Sequence, residues 1–191
     1  MSVAEVASLF ARCPMRWWLS GGWAIDHWLG SRTRDHGDID VSTLRPHLAG
    51  LLSALPAGLR PFAAVHGHLL PLEEHLDDRG IHNIWVQERR RDRFVLQINV
   101  EEGDERVWRY RRDPRIELTW DQAVGHLRGV EAGTPATQLL WKSRDPRTRD
   151  EHDLSVIHGA LNARDRRWLR ESIQLAHPGS PWADDARLAD R

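Results

Sequence analysis

The chain has 191 residues, 27 basic and 28 acidic side chains, a formal net charge of -1 and one cysteine. That length suffices for one domain, or for one domain with a small helical appendage, and for a core that needs no staples. The balance offers no global basic field for nucleic acid and no basic amphipathic helix for a membrane surface, and the single Cys13 excludes an intrachain disulfide framework and a multi-cysteine zinc site. No apolar run is long enough to span a bilayer, and the N-terminus lacks the basic and continuous apolar regions of a signal peptide, so a cytoplasmic protein is the expectation.

In chain order, Ser2 to Arg12 reads as a helix with Val3, Val6, Leu9 and Phe10 on one face. Arg16 to Leu19 reads as a short buried strand, Gly22 to Leu29 as a short helix stopped by Gly30, and Asp38 to Ser42 as a second strand. A helix is expected over Pro46 to Leu55. Strands are expected over Phe62 to Val65, Asn83 to Gln87, Phe94 to Glu101 and Val107 to Arg111. Alternation is clearest from Leu96 to Val100. After Thr119 the pattern turns helical. Thr134 caps and Pro135 opens one helix, and Asp150 to Gly159 and Asn162 to Ala176 read as two more. The expected organisation is an α/β half, residues 1–119, followed by a helical segment, residues 120–191, packed on it.

Two constellations point to chemistry. Asp38 and Asp40 are two positions apart, so in a strand both carboxylates share one face roughly 6.5 Å apart, where they repel unless a cation lies between them. Mg²⁺ suits such a pair because it takes hard oxygen ligands and keeps positions for water and phosphate. Gly21-Gly22, directly before a helix, allows backbone amides to approach phosphate closely, and Ser20 adds a hydroxyl. Each has a plainer reading: D-x-D in a turn, and a tight strand-to-helix connection. There are ten tryptophans and a single lysine, Lys142, among 26 arginines, which makes Lys142 a candidate for a specific role or a leftover surface lysine. Trp85, Trp108 and Trp120 are read first as core packing, with an acceptor wall as the alternative. His66-Gly-His68 lacks zinc spacing, and Glu88 to Arg93 reads as a hairpin tip.

The stretch SGGWAIDHWLGSRTRDHGDID, Ser20 to Asp40, resembles the signature of the nucleotidyltransferase superfamily related to DNA polymerase beta. More closely it is similar to the motif of the aminoglycoside 2''-nucleotidyltransferase and lincosamide nucleotidyltransferase families. A weaker similarity covers LLWKSRDPRTRDEHDL, Leu139 to Leu154, and VWRYRRDPRI and HPGSPW suggest a bacterial subgroup with poorly defined substrates. The resemblance implies a mixed sheet flanked by helices, an α/β (α+β) fold, with the D-x-D on a central strand. It implies ATP or another nucleoside triphosphate, two Mg²⁺ ions, and transfer of a nucleoside monophosphate to a hydroxyl of a small molecule, an aminoglycoside or lincosamide antibiotic by family analogy. Carried over residue by residue, Ser20, Gly21 and Gly22 hold the triphosphate and Asp38 and Asp40 bind the metals. Lys142 lies near the phosphates. Arg34 is either a phosphate contact or a solvated loop arginine, and Asp26 and His36 fix the helix and loop. A monomer or homodimer is expected, without nucleic acid or membrane as partner.

The departure concerns a third carboxylate, expected on the strand Phe94 to Glu102. Gln97 and Asn99 occupy the face where it belongs. Glu101 shares their parity and is the candidate third metal ligand and base, against a solvated strand-end carboxylate. An asparagine cannot accept a proton at neutral pH, and loss of a general base costs about 10² to 10⁴ in rate. Two alternatives therefore stand beside the enzyme: a nucleotide-binding or interaction module without efficient catalysis, and transfer to a protein hydroxyl as in some toxin–antitoxin relatives.

Overall fold

A computed structural model describes residues 1–75 and 78–189. The first helix, α1 (Val3–Leu9), opens on a reciprocal cap in which the Glu5 amide donates to Ser2 Oγ and the Ser2 amide to the Glu5 carboxylate. The chain continues through β1 (Trp17–Ser20), α2 (Gly21–Leu29), β2 (Ile39–Leu44), α3 (Leu48–Ser53), β3 (Leu59–Val65) and β4 (His68–Pro71). Then come β5 (Asn83–Glu88), β6 (Arg93–Gly103), β7 (Val107–Arg109), β8 (Glu117–Thr119), α4 (Trp120–Ala123), β9 (Val124–Leu127) and β10 (Val130–Gly133). Helices α5 (Pro135–Lys142), α6 (Thr148–Ile157) and α7 (Ala163–Ala176) follow.

The strands form one mixed sheet in the order β4-β3-β5-β6-β2-β1-β10-β9, with β7 and β8 attached beyond β6. β2 is central, antiparallel to β1 and parallel to β6. Period-2 alternation divides these strands between two cores. Leu19, Ile39, Val41, Leu96, Ile98 and Val100 point to one face and pack with Val6, Phe10, Leu48 and Leu51 of α1 and α3. The opposite face carries Trp18 and Leu44, which join α5, α6 and α7 through Leu139, Leu140, Leu154 and Leu169. Between these apolar patches the same face is polar: Ser20 is registered with Asp40, Asp40 with Gln97, and Ser42 with Asn99. Helix α2 serves both cores, with Ala24 in one and Ile25 in the other, and Gly30 ends it in the left-handed conformation, φ 76°.

The expected all-helical character after Thr119 is not what forms. Residues 124–133 fold as the hairpin β9–β10, and β10 runs parallel to β1 inside the sheet. The turn has positive φ at both Arg128 and Gly129, the geometry of a two-residue primed turn. Arg-Gly is a weak signature for it, and the capped turn of α4 just before it gives a helical pattern. The hairpin β3–β4 hides in the same way, since His66 and Gly67 are its positive-φ turn. Glu88 to Arg93 is the connection between β5 and β6, as expected. No helix among the described residues is long and apolar enough to cross a membrane.

Candidate active site

A cavity of about 510 Å³ lies over the polar stripe of the sheet, between it and α5–α6. One end is formed by Ser20, Gly21, Asp40, Asn99, Gln138 and Lys142, and the other reaches His82, Glu101, Arg111, Arg112, Trp141 and Arg144. The ends are set by register. Asp40 pairs with Gln97 and Leu44 with Glu101, so Glu101 lies four residues, roughly 13 Å, along the strand direction from Asp40.

At the first end the β1–α2 turn meets β2. Gly21 has φ 65°, and a Cβ there would run into Asp40 Oδ2, so only glycine brings this backbone against the carboxylate. Its amide donates to Gln138 Oε1 of α5 at 2.7 Å. Ser20 makes no side-chain cap to α2, and its Oγ accepts from Asn99 Nδ2 at 3.4 Å. Asn99 Nδ2 also lies 3.3 Å from Asp40 Oδ1. Burial and the neighbouring Asp38 push Asp40 up to about 6. Asp38 itself precedes β2, and its carbonyl accepts from the Trp23 indole at 3.0 Å.

Arg34, expected as a phosphate contact or a solvated loop arginine, is instead a mostly buried ion-pair partner that packs over Gly22. A Cβ on Gly22 would strike the Arg34 guanidinium and His36, so this glycine makes room for the loop that returns over α2. Arg34 donates from Nε and Nη2 to both oxygens of Asp153, at 2.8 and 2.9 Å, and is not among the residues lining the cavity. Asp26, buried, accepts from Thr33 and meets His36 Nε2, both at 2.6 Å, fixing helix and loop to each other. Lys142 lines the cavity with Nζ 2.9 Å from Asp150 and 3.0 Å from Asp153. Burial works against ionisation of Asp150, yet Arg147 and Lys142 outweigh it and hold the carboxyl at about 2.

The expected grouping of Glu101 with Asp38 and Asp40 is corrected. Among the described residues no three His, Cys, Asp or Glu side chains are placed to hold a metal together. Glu101 is buried, and the indoles of Trp108 and Trp141 both donate to its Oε2. Burial pushes its carboxyl up despite these donors. Its parity is right, but strand geometry carries it away from the aspartates. Asn99 stands beside Asp40 instead, its Oδ1 accepting from Asn83 and Gln97 at 2.7 and 2.6 Å. The tryptophans divide: Trp108 is core, Trp85 and Trp120 are not among the cavity-lining residues, and Trp141 is the one that lines it. Gln138, Trp141 and His82 were not singled out from sequence, because nothing local marks a glutamine or tryptophan on an amphipathic helix as facing a cavity.

Residues 2–62 match the family model of aminoglycoside-2''-adenylyltransferase, a span that includes Ser20 to Asp40. The crystal structure of ANT(2'')-Ia in complex with adenylyl-2''-tobramycin superposes with a TM-score of 0.63 at 15% identity, covering 91% of this chain and 95% of that one. The fold is the nucleotidyltransferase fold. A solution structure of the antibiotic-resistance factor ANT(2'')-Ia gives a TM-score of 0.61 at 17% identity, covering 93% and 91% of the two chains. Lincomycin-bound LnuA, a lincosamide antibiotic adenylyltransferase, gives 0.59 at 17% identity, with 83% of this chain and 96% of that one covered. No curated protein matches the sequence. The resemblance of the signature to antibiotic-modifying adenylyltransferases thus has a sequence match in the first third of the chain and a structural likeness over most of its length.

Proposed function

We propose that the chain is a Mg²⁺-dependent nucleotidyltransferase that moves a nucleoside monophosphate, AMP from ATP, to a hydroxyl of a small molecule and releases pyrophosphate. The observation that supports this most is the contact of the α2 N-terminus with Asp40, enforced by Gly21, in a cavity that also contains Lys142. The helix dipole and first-turn amides attract phosphate, while the carboxylates attract the counter-ion that phosphate brings.

Asp40 lines the cavity, and Asp38, not among the lining residues, acts on it by charge; this pair suits one magnesium ion. Asp40 is driven up by burial and by Asp38, so a cation between them relieves both effects, and Mg²⁺ is commonly held by one or two carboxylates plus substrate phosphate. Bound there, the ion supplies charge neutralisation at the transferring phosphoryl group. A second ion finds no third carboxylate beside this pair among the described residues. Lys142 gives two of its three N–H donors to Asp150 and Asp153, which leaves one to orient the pyrophosphate leaving group. Gly22 contributes its amide to the first turn of α2, and Arg34 enters as a support of that turn rather than as a ligand. Glu101, roughly 13 Å along the strand direction from Asp40 and held by two indoles, enters as part of the far wall of the cavity and not as a metal ligand.

Calorimetry with MgATP tests the site: wild type is expected to bind, and Asp38→Ala with Asp40→Ala is expected to lose at least tenfold in affinity. Equal binding would remove the metal assignment. A second reading, a nucleotide-binding module without catalysis, is favoured by Asn99 beside Asp40. Pyrophosphate release over a panel of hydroxylated acceptors, aminoglycosides and lincosamides included, separates the two.

A further inference from the structure

The far end of the cavity is cationic, and its cations are not neutralised. Arg111 and Arg112 flank the Trp141 ring, with guanidinium carbons 5.5 and 5.1 Å from its centroid. Neither has a carboxylate within ion-pair distance among the described residues, and Arg111 Nε is buried without any hydrogen-bond partner. Arg112 gives Nη1 to the Tyr110 hydroxyl and the Trp141 carbonyl, both at 3.2 Å, which fixes its fork without compensating its charge. Arg144, exposed at the same rim, likewise has no ion pair.

The acids nearby offset this charge only in part. Asp150 is taken by Lys142 and Arg147, Asp40 lies at the opposite end, and Glu101, held by two neutral indoles, acts on Arg111 from beyond ion-pair distance. Asp145 shares the lining with Arg111, Arg112 and Arg144, and Glu101 and Glu102 raise the proton affinity of Arg111 by less than burial and Arg112 lower it. The local potential shows in the neighbours. Burial lowers the proton affinity of Arg111, and Arg112 lowers it further. His82, on the same wall, is pushed down to about 4 by burial, by Arg111 and by Arg45.

We propose that this end is an anion subsite for the second substrate: the acceptor is a hydroxylated molecule carrying a phosphate or carboxylate, read by Arg111, Arg112 and Arg144, with Trp141 as its apolar wall. A planar arginine fork suits a carboxylate or phosphate edge. A polycationic acceptor such as an aminoglycoside meets like charge at this end instead. The inference deepens the transferase reading and rests on it for the word acceptor; the subsite itself is read by binding.

The test uses glycerol 3-phosphate, glycerol and tobramycin as probes in calorimetry at low and at 0.3 M salt. Each is titrated into the full chain with and without Mg²⁺ and a non-hydrolysable ATP analogue, whose own binding is measured first. Expected are binding of glycerol 3-phosphate but not glycerol, weakening with salt, and at least a tenfold loss in Arg111→Gln/Arg112→Gln with analogue binding unchanged within twofold. Arg144→Glu changes an exposed side chain with no ion pair or hydrogen bond among the described residues, so it keeps the fold and is expected to lose about threefold or more. The proposal is overturned if glycerol 3-phosphate fails to bind, if neither variant weakens it, or if tobramycin binds wild type more tightly. It is also overturned if the arginine variants lose the analogue instead, which would assign these side chains to the triphosphate. Failure of the analogue to bind wild type would sink the transferase reading while leaving the anion measurement intact.

Discussion

At the residue scale, two side chains carry the geometry of the site. Gly21 is the only residue type that fits where β1 turns into α2, because its φ is positive and its missing Cβ is the space Asp40 fills. Gly21→Ala is expected to cost about 1–3 kcal/mol in urea denaturation and to abolish MgATP binding in a folded fraction. Retained binding would contradict the contact described here. Asp153 is fully buried between Arg34 and Lys142 and ties the loop after α2 to α6. Asp153→Ala leaves two mostly buried cations facing each other, so a loss of about 3–5 kcal/mol is expected in the same measurement. The D-x-D and the glycines were visible in the sequence because they are local. Asp153 reads in the sequence as one of the acids of the cluster Asp150, Glu151 and Asp153, suited to pairing with the nearby Arg144, Arg147 or Arg149, whereas its partner Arg34 lies 119 positions away.

At the element scale, the β1–α2 turn depends on a helix from the other end of the chain. Gln138 on α5 accepts the Gly21 amide, and Gly133, just before α5, gives it room. Gln138→Leu removes the acceptor while keeping the volume. We expect a loss of about 1–3 kcal/mol from the unsatisfied amide and faster hydrogen exchange at Gly21 than in wild type. Unchanged exchange would show that the turn holds itself. Strong periodicity made β6 and the helices α5 to α7 legible, since each has a clear apolar face. The hairpin β9–β10 was not, because four-residue strands around an Arg-Gly turn leave little pattern, and pairing with β1 is what makes β10 a strand.

At the scale of the whole molecule, the charge distribution fixes how stability responds to acid. His82 has a folded-state value of about 4 against 6.5 unfolded, so the unfolded chain takes up protons first and stability falls as pH drops from 6.5 towards 4. Asp150, at about 2 against 3.8, contributes stability that is present above 3.8 and is lost as pH falls through 2. Asp40, held up to about 6, acts in the opposite sense between 3.8 and 6, so the histidine contribution is read as a difference. Wild type minus His82→Gln in thermal melts is expected to show a gap that changes between pH 6.5 and 4 and is flat above 7. A gap independent of pH would place His82 in a more solvated, less cationic setting than the fold gives it.

The sequence by itself determined the strand-turn-helix with its glycines and the aspartates after it and the alternation of the central strand, because these are written in neighbouring residues and in short periods; the class of the fold came through the resemblance of the signature those residues form. Only the tertiary structure decided which carboxylates meet. Glu101 and Asp40 share a face, yet each residue of a strand advances the chain by about 3.3 Å, and that length separates them. The same folding brings Arg111, Arg112 and Arg144 around Trp141 from two distant segments, a charge cluster that linear composition, nearly neutral overall, had no means to display.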